Sequence, residues 1–263
     1  MSLKVCRDEV VAIVAAANGR CSTRRPKHYA TQFIGLEAFV AYKHKYKAPI
    51  VLVIESPHIE EFKVSGIHDL VSGEPVHSRP VNGASGRNIM ARIGTLVSST
   101  GMALGTGNYP VIVMNAIQEQ CSEGKDTLVT RTRNFISLWN SRKAWLEERL
   151  RQVEPFIAIN ACTVGDFRMD NGLSAYASGN RAEFRRYFQA LLENEFGLVQ
   201  VGQPGSFDFM GSLDLSGLVM NAMHKVYSGT GTALRKTTHP ASWYRREPVL
   251  RNYATQMFYY GQE

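Results

Sequence analysis

The stretch "APIVLVIES", residues 48–56, is an unbroken apolar run that ends on a carboxylate and a hydroxyl. Two later stretches share this design: "YPVIVMNA" at 109–116 and "EPFIAINA" at 154–161, each with a proline at its start. An unbroken apolar run, unlike an alternating one, is typical of a strand buried on both faces, as in a parallel sheet. The three stretches therefore predict the centre of one mostly parallel sheet.

Helical patterns alternate with these runs along the chain. The alternation predicts an α/β fold, a three-layer sandwich with a central, mostly parallel sheet of four to five strands and right-handed crossovers. The predicted helices cover 30–46, 86–99, 132–153 and 181–196, and strands at 197–202 and 234–240 are expected to complete the sheet.

Length and composition favour a single domain. The chain has 263 residues, 44% of them hydrophobic, and no low-complexity tract divides it. We therefore expect one α/β domain over 1–263. Residues 1–47 are expected to form a helical extension at the amino end, and 163–233 a long insert before the last strand.

Charge and cysteine usage restrict the function classes. Thirty Lys and Arg against 23 Asp and Glu give a net charge of +7, which favours a polyanionic partner. Four widely spaced cysteines without a CxxC pair argue against a disulfide framework or a zinc ribbon. The run "VVAIVAAA" near the start has only eight apolar residues, too few to cross a membrane. We expect a cytoplasmic protein with no metal or other cofactor.

Polar residues end the predicted strands. Glu55 and Ser56 follow the first run, Asn115 and Asn160 end the next two, and His239 with Pro240 ends the last strand. Ligands of open α/β sheets bind outside the carboxyl ends of the strands, so these side chains are expected to converge on one rim. The alternative for each asparagine is a residue that starts a turn and has its hydrogen bonds satisfied there.

The order of these motifs resembles the uracil-DNA glycosylase superfamily over about residues 48–253. The motifs that carry the resemblance are "IESPH" (54–58), "NGASGRNIMARI" (82–93), "VIVMNAI" (111–117), "WLEERLRQVEPFIAINACTVG" (145–165) and "THPAS" (238–242). The resemblance implies a monofunctional DNA glycosylase that flips a nucleotide out of the stack and hydrolyses its N-glycosidic bond, leaving an abasic site.

The resemblance also implies the roles of individual residues. His239 would donate a hydrogen bond to the departing base, Asn115 would read that base, and Glu55 would position water or stabilise the sugar cation. Glu60 and Glu61 could replace Glu55 or merely complement a helix dipole. Ser56 takes the place of the general-base Asp of the best-known branch. The residues expected to line the base pocket are Pro57, His58 and Asn160.

Two segments are expected to hold DNA, the partner that the resemblance implies. One is the predicted start of a helix, whose N–H groups suit a phosphate oxygen. The other follows His239, where two aromatic residues would wedge into the stack beside phosphate-binding side chains; the alternative is that the aromatic pair packs into the protein. The residues concerned are Gly83, Ser85, Gly86, Arg87, Ser242, Trp243, Tyr244, Arg245 and Arg246.

Departures from the family pattern bear on the substrate. His58 stands where uracil-specific members have a Tyr that excludes the thymine methyl, and the uracil-stacking aromatic has no counterpart in 63–84. The extra room favours cytosine with a bulky group on C5, such as glucosylated hydroxymethylcytosine of phage DNA. Polar residues of the insert would then read the sugar: Asn171, Asn180 and Asp208.

Three alternatives stay open. The first is excision of uracil or another deaminated base in repair. The second is a non-catalytic nucleic-acid-binding protein on the same fold, which Ser56 favours. The third is a hydrolase of free nucleosides. We expect a monomer.

Overall fold

The computed structural model describes residues 4–102, 104–122, 127–165 and 215–252. Its seven-stranded sheet has the order β10-β9-β8-β4-β7-β1-β2, and a small sheet has the order β3-β5-β6. The strands are β1 (Glu9–Ala17), β2 (Arg20–Arg24), β3 (Gln32–Phe33), β4 (Ile50–Ile54), β5 (Ile67–Asp69), β6 (Pro75–Val76), β7 (Gly107–Asn115), β8 (Ile157–Asn160), β9 (Ala233–Lys236) and β10 (Arg251–Asn252). The helices are α1 (Leu36–Tyr42), α2 (Ala84–Ser98), α3 (Thr127–Arg151) and α4 (Leu215–Tyr227), with short 3-10 turns at Lys43–Lys45, Ile59–Phe62 and Pro240–Ser242.

The centre of the large sheet is parallel, as the three apolar runs predict. β4 pairs with β7 on one side and with β8 on the other, and β8 pairs with β9. Every residue of β4 and β8 is buried. The α/β class is therefore confirmed, and these strands are the ones that place the candidate site.

The expected size of the sheet is wrong, because the sheet has seven strands and is mixed. β1 is antiparallel to β7 and β2 is antiparallel to β1, while β10 is antiparallel to β9 at the other edge. The eight apolar residues of "VVAIVAAA" lie in β1, which the sequence pattern did not reveal as a strand. An inner strand buried on both faces is as short and as apolar as this run.

The predicted helical extension over 1–47 is also wrong in most of its length. β1, β2 and β3 lie within it, and the helix expected over 30–46 is limited to α1 and the 3-10 turn that follows. Gln32 and Phe33 pair instead with His68 and Asp69 of β5, which keeps them out of the helix. Tertiary strand pairing thus overrides an amphipathic pattern.

Helices cover both faces of the large sheet. α2 packs on one face through Ile89 and Ile93, together with Trp243. α3, α4 and Phe39 of α1 pack on the opposite face. In the described ranges, no helix combines the length and the apolar character needed to cross a bilayer.

Some predictions lie outside the described residues. These are the helix at 181–196, the strand at 197–202, and the sugar-reading residues Asn171, Asn180 and Asp208. The predicted last strand at 234–240 corresponds to β9, which ends at Lys236.

Candidate active site

The carboxyl ends of the parallel strands bring the predicted polar residues to one edge. Asn115 pairs with Ile54, so the end of β7 lies beside the residue that precedes Glu55. The pairing continues past β4, because the N–H of Ile117 donates to the carbonyl of Glu55 at 3.0 Å. The N–H of Thr237 donates to the carbonyl of Asn160 at 2.9 Å, which leads the chain from β9 to His239.

Glu55 is a fully buried carboxylate, and two groups compensate for the cost of burying its charge. Nη1 of Arg131, on α3, lies 2.8 Å from Oε1, and the N–H of Thr163 donates to Oε2 at 3.3 Å. Burial raises the pKa of Glu55, but the positive charges of His239 and Arg131 and the backbone N–H donors outweigh it and lower the pKa overall. Arg131 is always charged, so its part of this compensation is present whether His239 is charged or neutral.

His239 faces Glu55 from the loop after β9. Its Nδ1 accepts a hydrogen bond from the N–H of Ala241 at 3.1 Å, and its Nε2 lies 3.7 Å from Oε2 of Glu55. Burial lowers the pKa of His239, the Glu55 carboxylate opposes that shift, and Arg131 adds to it. A neutral ring whose Nδ1 accepts must carry its proton on Nε2, which leaves an N–H donor directed into the site.

Asn115 has a buried side-chain amide that is bonded to none of the described residues. Neither Oδ1 nor Nδ2 makes a hydrogen bond to any described residue, although the side chain is fully enclosed. Its main-chain carbonyl is engaged and accepts from Nη2 of Arg149 at 2.9 Å. A buried polar group without a partner costs about 1–3 kcal/mol, so an amide kept in this state points to a ligand that satisfies it.

Asn160 behaves in the opposite way. Its Nδ2 donates to the carbonyl of Ser216 at 2.7 Å, and its Oδ1 accepts from the N–H of Cys162 at 3.0 Å. Both ends of its amide are bonded within the protein, so its contacts lend no support to the predicted place in the base pocket. Its bond to Ser216 links β8 to α4, and its bond to Cys162 holds the chain just after β8.

The three residues after Glu55 have different surroundings. Ser56 is buried beside the thiol of Cys121, and burial raises the pKa of Cys121 to about 12. Pro57 is buried, whereas His58 is exposed, and its Nδ1 accepts from the N–H of Glu60 at 3.3 Å. His58 thus caps the following 3-10 turn, and Ser56 supplies no carboxylate.

Two more residues join the site: Arg131, which the sequence did not single out for it, and Glu61, which the sequence offered as a substitute for Glu55. Arg131 belongs to a "TRTRN" run at the start of α3, and only a pairing with Glu55 distinguishes it from other arginines. Glu61 is buried, and its Oε1 accepts from the N–H of Val81 at 2.7 Å. Burial, with the nearby Glu55 carboxylate, raises the pKa of Glu61 to about 8 although two backbone N–H groups oppose the shift. Glu61 is therefore mostly protonated at pH 7.

The start of α2 keeps the form expected of a phosphate site. Gly83 and Arg87 are exposed, Ser85 is half-buried, and no side chain caps the first turn. The first N–H groups of a helix have no acceptor within it, and the helix dipole favours an anion there. Gly86 is buried, and a Cβ at this position would lie 2.2 Å from the carbonyl oxygen of Val81.

The turn after His239 divides its aromatic pair between core and solvent. Trp243 is 1% exposed, and its Nε1 donates to the carbonyl of Thr238 at 2.8 Å. The prediction that Trp243 wedges into DNA is therefore wrong, because the indole is part of the core under α2. Tyr244 is 62% exposed, with the guanidinium of Arg245 5.0 Å from its ring centroid, and Arg246 is exposed as well.

Ser242 holds this turn together. Its hydroxyl donates to the carbonyl of His239 at 2.8 Å, and Nδ2 of Asn88, on α2, donates to the carbonyl of Pro240 at 2.8 Å. The hydroxyl proton of Ser242 is thus bonded within the protein. The bond from Asn88 holds the first half of α2 against the turn.

Comparison with known proteins does not assign a family to the chain. No protein-family model, curated protein or solved structure matches it. In the described part of the chain, no group of three or more His, Cys, Asp and Glu side chains is arranged to hold a metal ion. The site itself combines a carboxylate of lowered pKa, an imidazole of lowered pKa and an amide that has no partner among the described residues. Such a set can stabilise a cation, donate to an anion and read a planar polar group.

Proposed function

We propose that the protein is a DNA glycosylase that hydrolyses the N-glycosidic bond of a flipped-out nucleotide. The observation that carries the proposal is the enclosed amide of Asn115, which has no partner among the described residues. Asn115 pairs with Ile54, the residue that precedes the buried Glu55. A base edge offers both a donor and an acceptor, and an amide can satisfy both at once.

The bond breaks with opposite charges on its two halves. The electron pair of the C1′–N bond leaves with the base, and positive charge builds on the sugar. The ionised Glu55 would stabilise that cation and orient a water, whose oxygen bonds to C1′. The proton released by the water passes to Glu55 and then to solvent, and the base anion is protonated in turn.

His239 would act on the departing base. Its Nε2–H is directed into the site, and a neutral imidazole can donate a hydrogen bond to a base oxygen as negative charge develops there. Removing a donor of this kind from an enzyme site costs about 10²- to 10³-fold in kcat. The low pKa of His239 supports this role, because the ring holds Nε2–H without carrying a charge of its own.

DNA would be held by the start of α2 and by the turn after His239. Gly83, Ser85 and Arg87 would bind one phosphate, and Arg245 and Arg246 would bind others. Tyr244 replaces Trp243 as the residue available to fill the gap in the stack, since it is the exposed member of the pair.

For the substrate, we propose cytosine enlarged at C5, with glucosylated hydroxymethylcytosine of phage DNA as the leading candidate. An exposed His58 in place of a blocking tyrosine supports this choice. The test is incubation with duplexes and single strands that carry uracil, hydroxymethylcytosine, glucosylated hydroxymethylcytosine or no modification. Each reaction is scored for alkali-labile abasic sites.

Matched variants identify the residues responsible. His239→Ala and Asn115→Ala are expected to abolish abasic-site formation, whereas the exposed controls His77→Ala and Asn140→Ala retain it. Cleavage confined to glucosylated DNA supports a defence enzyme, and cleavage at uracil assigns the protein to repair. Binding without abasic sites on any substrate overturns the enzyme and leaves a DNA-binding protein, while activity on free nucleosides alone indicates a small-molecule hydrolase.

A further inference from the structure

A second surface with the chemistry of a nucleic-acid site lies around Tyr46. Two cavities of about 290 and 320 Å³ share Tyr46 and Phe39 as lining residues. We call the two together the Tyr46 groove. Tyr42 lines the first cavity, and both tyrosines are exposed by more than a third of their surface.

Basic side chains surround this groove. Lys27, His28 and Lys45 line the first cavity, and Lys43, His44 and Lys47 line the second. None of the ion pairs between described residues involves Lys43, Lys45 or Lys47, and Glu154 is the one carboxylate among the described lining residues. Lys45 Nζ lies 4.7 Å from the centroid of the Tyr42 ring. The groove is therefore an unneutralised positive surface with aromatic rings in it.

The groove is separate from the candidate active site. Ala48 and Pro49, which line the second cavity, lie directly before β4, whereas Glu55 follows it. The N–H of Phe156, just before β8, donates to the carbonyl of Pro49 at 2.9 Å. The second cavity thus lies at the amino ends of the parallel strands, roughly 16 Å from the site along a five-residue strand.

We infer that the Tyr46 groove binds a segment of single-stranded nucleic acid, with bases stacked on the two tyrosines and phosphates held by the lysines. Sequence-tolerant binding of single strands combines a positively charged groove with aromatic rings on which bases stack. Two adjoining cavities that share Tyr46 and Phe39 as lining residues suit successive bases, whereas a duplex keeps its bases stacked on one another. The inference does not rest on the proposed glycosylase activity, since it concerns binding alone.

The test measures fluorescence anisotropy of a labelled, unmodified oligothymidylate of about 12 nucleotides with the full chain, over a range of salt. Tyr46→Ala is expected to weaken binding roughly 5- to 100-fold, while Tyr46→Phe, which keeps the ring, retains it. Replacing Lys43, Lys45 and Lys47 with Gln is expected to reduce the slope of log affinity against log salt by about 2.

Controls separate the groove from a general charge effect and from the active site. Lys4→Gln with Lys143→Gln removes exposed charge elsewhere and should change the salt slope little. Asn115→Ala with His239→Ala should leave the Tyr46 effect intact even if no glycosylase activity is found. Thermal melting shows that each variant is folded.

Photo-cross-linking of a bromodeoxyuridine-substituted strand locates the contact directly. Recovery of a cross-linked peptide containing Tyr42 or Tyr46 supports the inference. Equal binding by wild type and Tyr46→Ala, tighter binding of duplex with no Tyr46 effect, or binding of an acidic peptide but no oligonucleotide would each overturn it.

Discussion

Arg131 helps His239 to keep Glu55 ionised, and its guanidinium is the permanent positive group beside that buried carboxylate. If Glu55 must be ionised for catalysis, activity falls as pH drops through its pKa. Arg131→Gln removes the neighbouring charge, raises that pKa and is expected to move the acid limb of the pH–rate profile to higher pH. The measurement is the initial rate of abasic-site formation against pH on whichever substrate of the panel is cleaved.

A second arginine of α3 provides the control for this prediction. Arg151 is about half exposed and pairs with Glu147 and Glu148, away from Glu55. Arg151→Gln should leave the acid limb in place. If Arg131→Gln lowers the rate equally at every pH, Arg131 does not act by setting the ionisation of Glu55.

Glu61 makes stability depend on pH. In the unfolded chain a glutamate loses its proton near pH 4.3, whereas the folded Glu61 keeps it to about pH 8. Unfolding between these values releases a proton, so this contribution is full below about pH 4.3 and disappears as pH rises through 8. We expect the free energy of unfolding to fall by up to about 1.4 kcal/mol per pH unit within that window.

The adjacent Glu60 is a matched control for Glu61. Glu60 is exposed and pairs with Lys63 at 2.6 Å. Urea denaturation at several pH values should show a flatter dependence for Glu61→Gln than for wild type, and no change of slope for Glu60→Gln. An unchanged slope in Glu61→Gln would mean that Glu61 is ionised in the folded protein.

At the scale of elements, the turn at Pro240–Ser242 positions His239 because Trp243 fixes the turn to the core. Trp243→Ala removes a buried indole and its hydrogen bond to Thr238, and is expected to cost about 3–5 kcal/mol of unfolding free energy. Tyr244→Ala, at the exposed neighbour, should change stability by no more than about 0.5 kcal/mol. Chemical denaturation measures both.

A DNA-binding assay also distinguishes the roles of Trp243 and Tyr244. Tyr244→Ala is expected to weaken binding to DNA that holds a flipped nucleotide while leaving the melting temperature unchanged. Trp243→Ala that keeps full stability but loses DNA affinity would instead return the wedge role to Trp243.

At the scale of the whole molecule, β1 is an inner strand of the large sheet, and the residue just before it supports Asn115 through Arg149. β1 lies between β7 and β2, and Asp8, just before it, accepts from Nη1 of Arg149 at 2.6 Å. Nη2 of the same arginine donates to the carbonyl of Asn115. Deleting residues 1–24 is expected to abolish cooperative folding, because it exposes the edge of β7 and the core residues of β1. Circular dichroism and solubility would show this.

A pair of point variants tests the same idea without truncation. Val14 of β1 is fully buried, and Ser22 of β2 is exposed. Val14→Asp should unfold the protein, whereas Ser22→Asp should be tolerated. A truncated chain that melts cooperatively would show that β1 and β2 are an appendage rather than part of the sheet.

Much of the fold follows from local pattern, and less of the site does. The apolar runs around Val51, Val113 and Ile159 are buried strands because each is covered on both faces, a requirement that is visible in the residues themselves. β1 was missed because its alanines and valines fit several elements, and only pairing with β7 decides between them. Arg131 was missed as a site residue, and the burial that protonates Glu61 was not foreseen, because both environments come from distant segments.

The sequence by itself determined the α/β class, the buried central strands, Glu55 and Asn115 at the ends of two of them and His239 shortly after a third, because apolar runs and the polar residues that follow them are local properties. Only the tertiary structure decided which of the polar side chains after the strands have hydrogen-bond partners within the protein. Asn160 is satisfied by Ser216 and Cys162, whereas Asn115 has no partner among the described residues. It also decided that Trp243 is core and Tyr244 is surface. Burial and hydrogen-bond partners depend on residues far apart in the chain, and no local pattern encodes them.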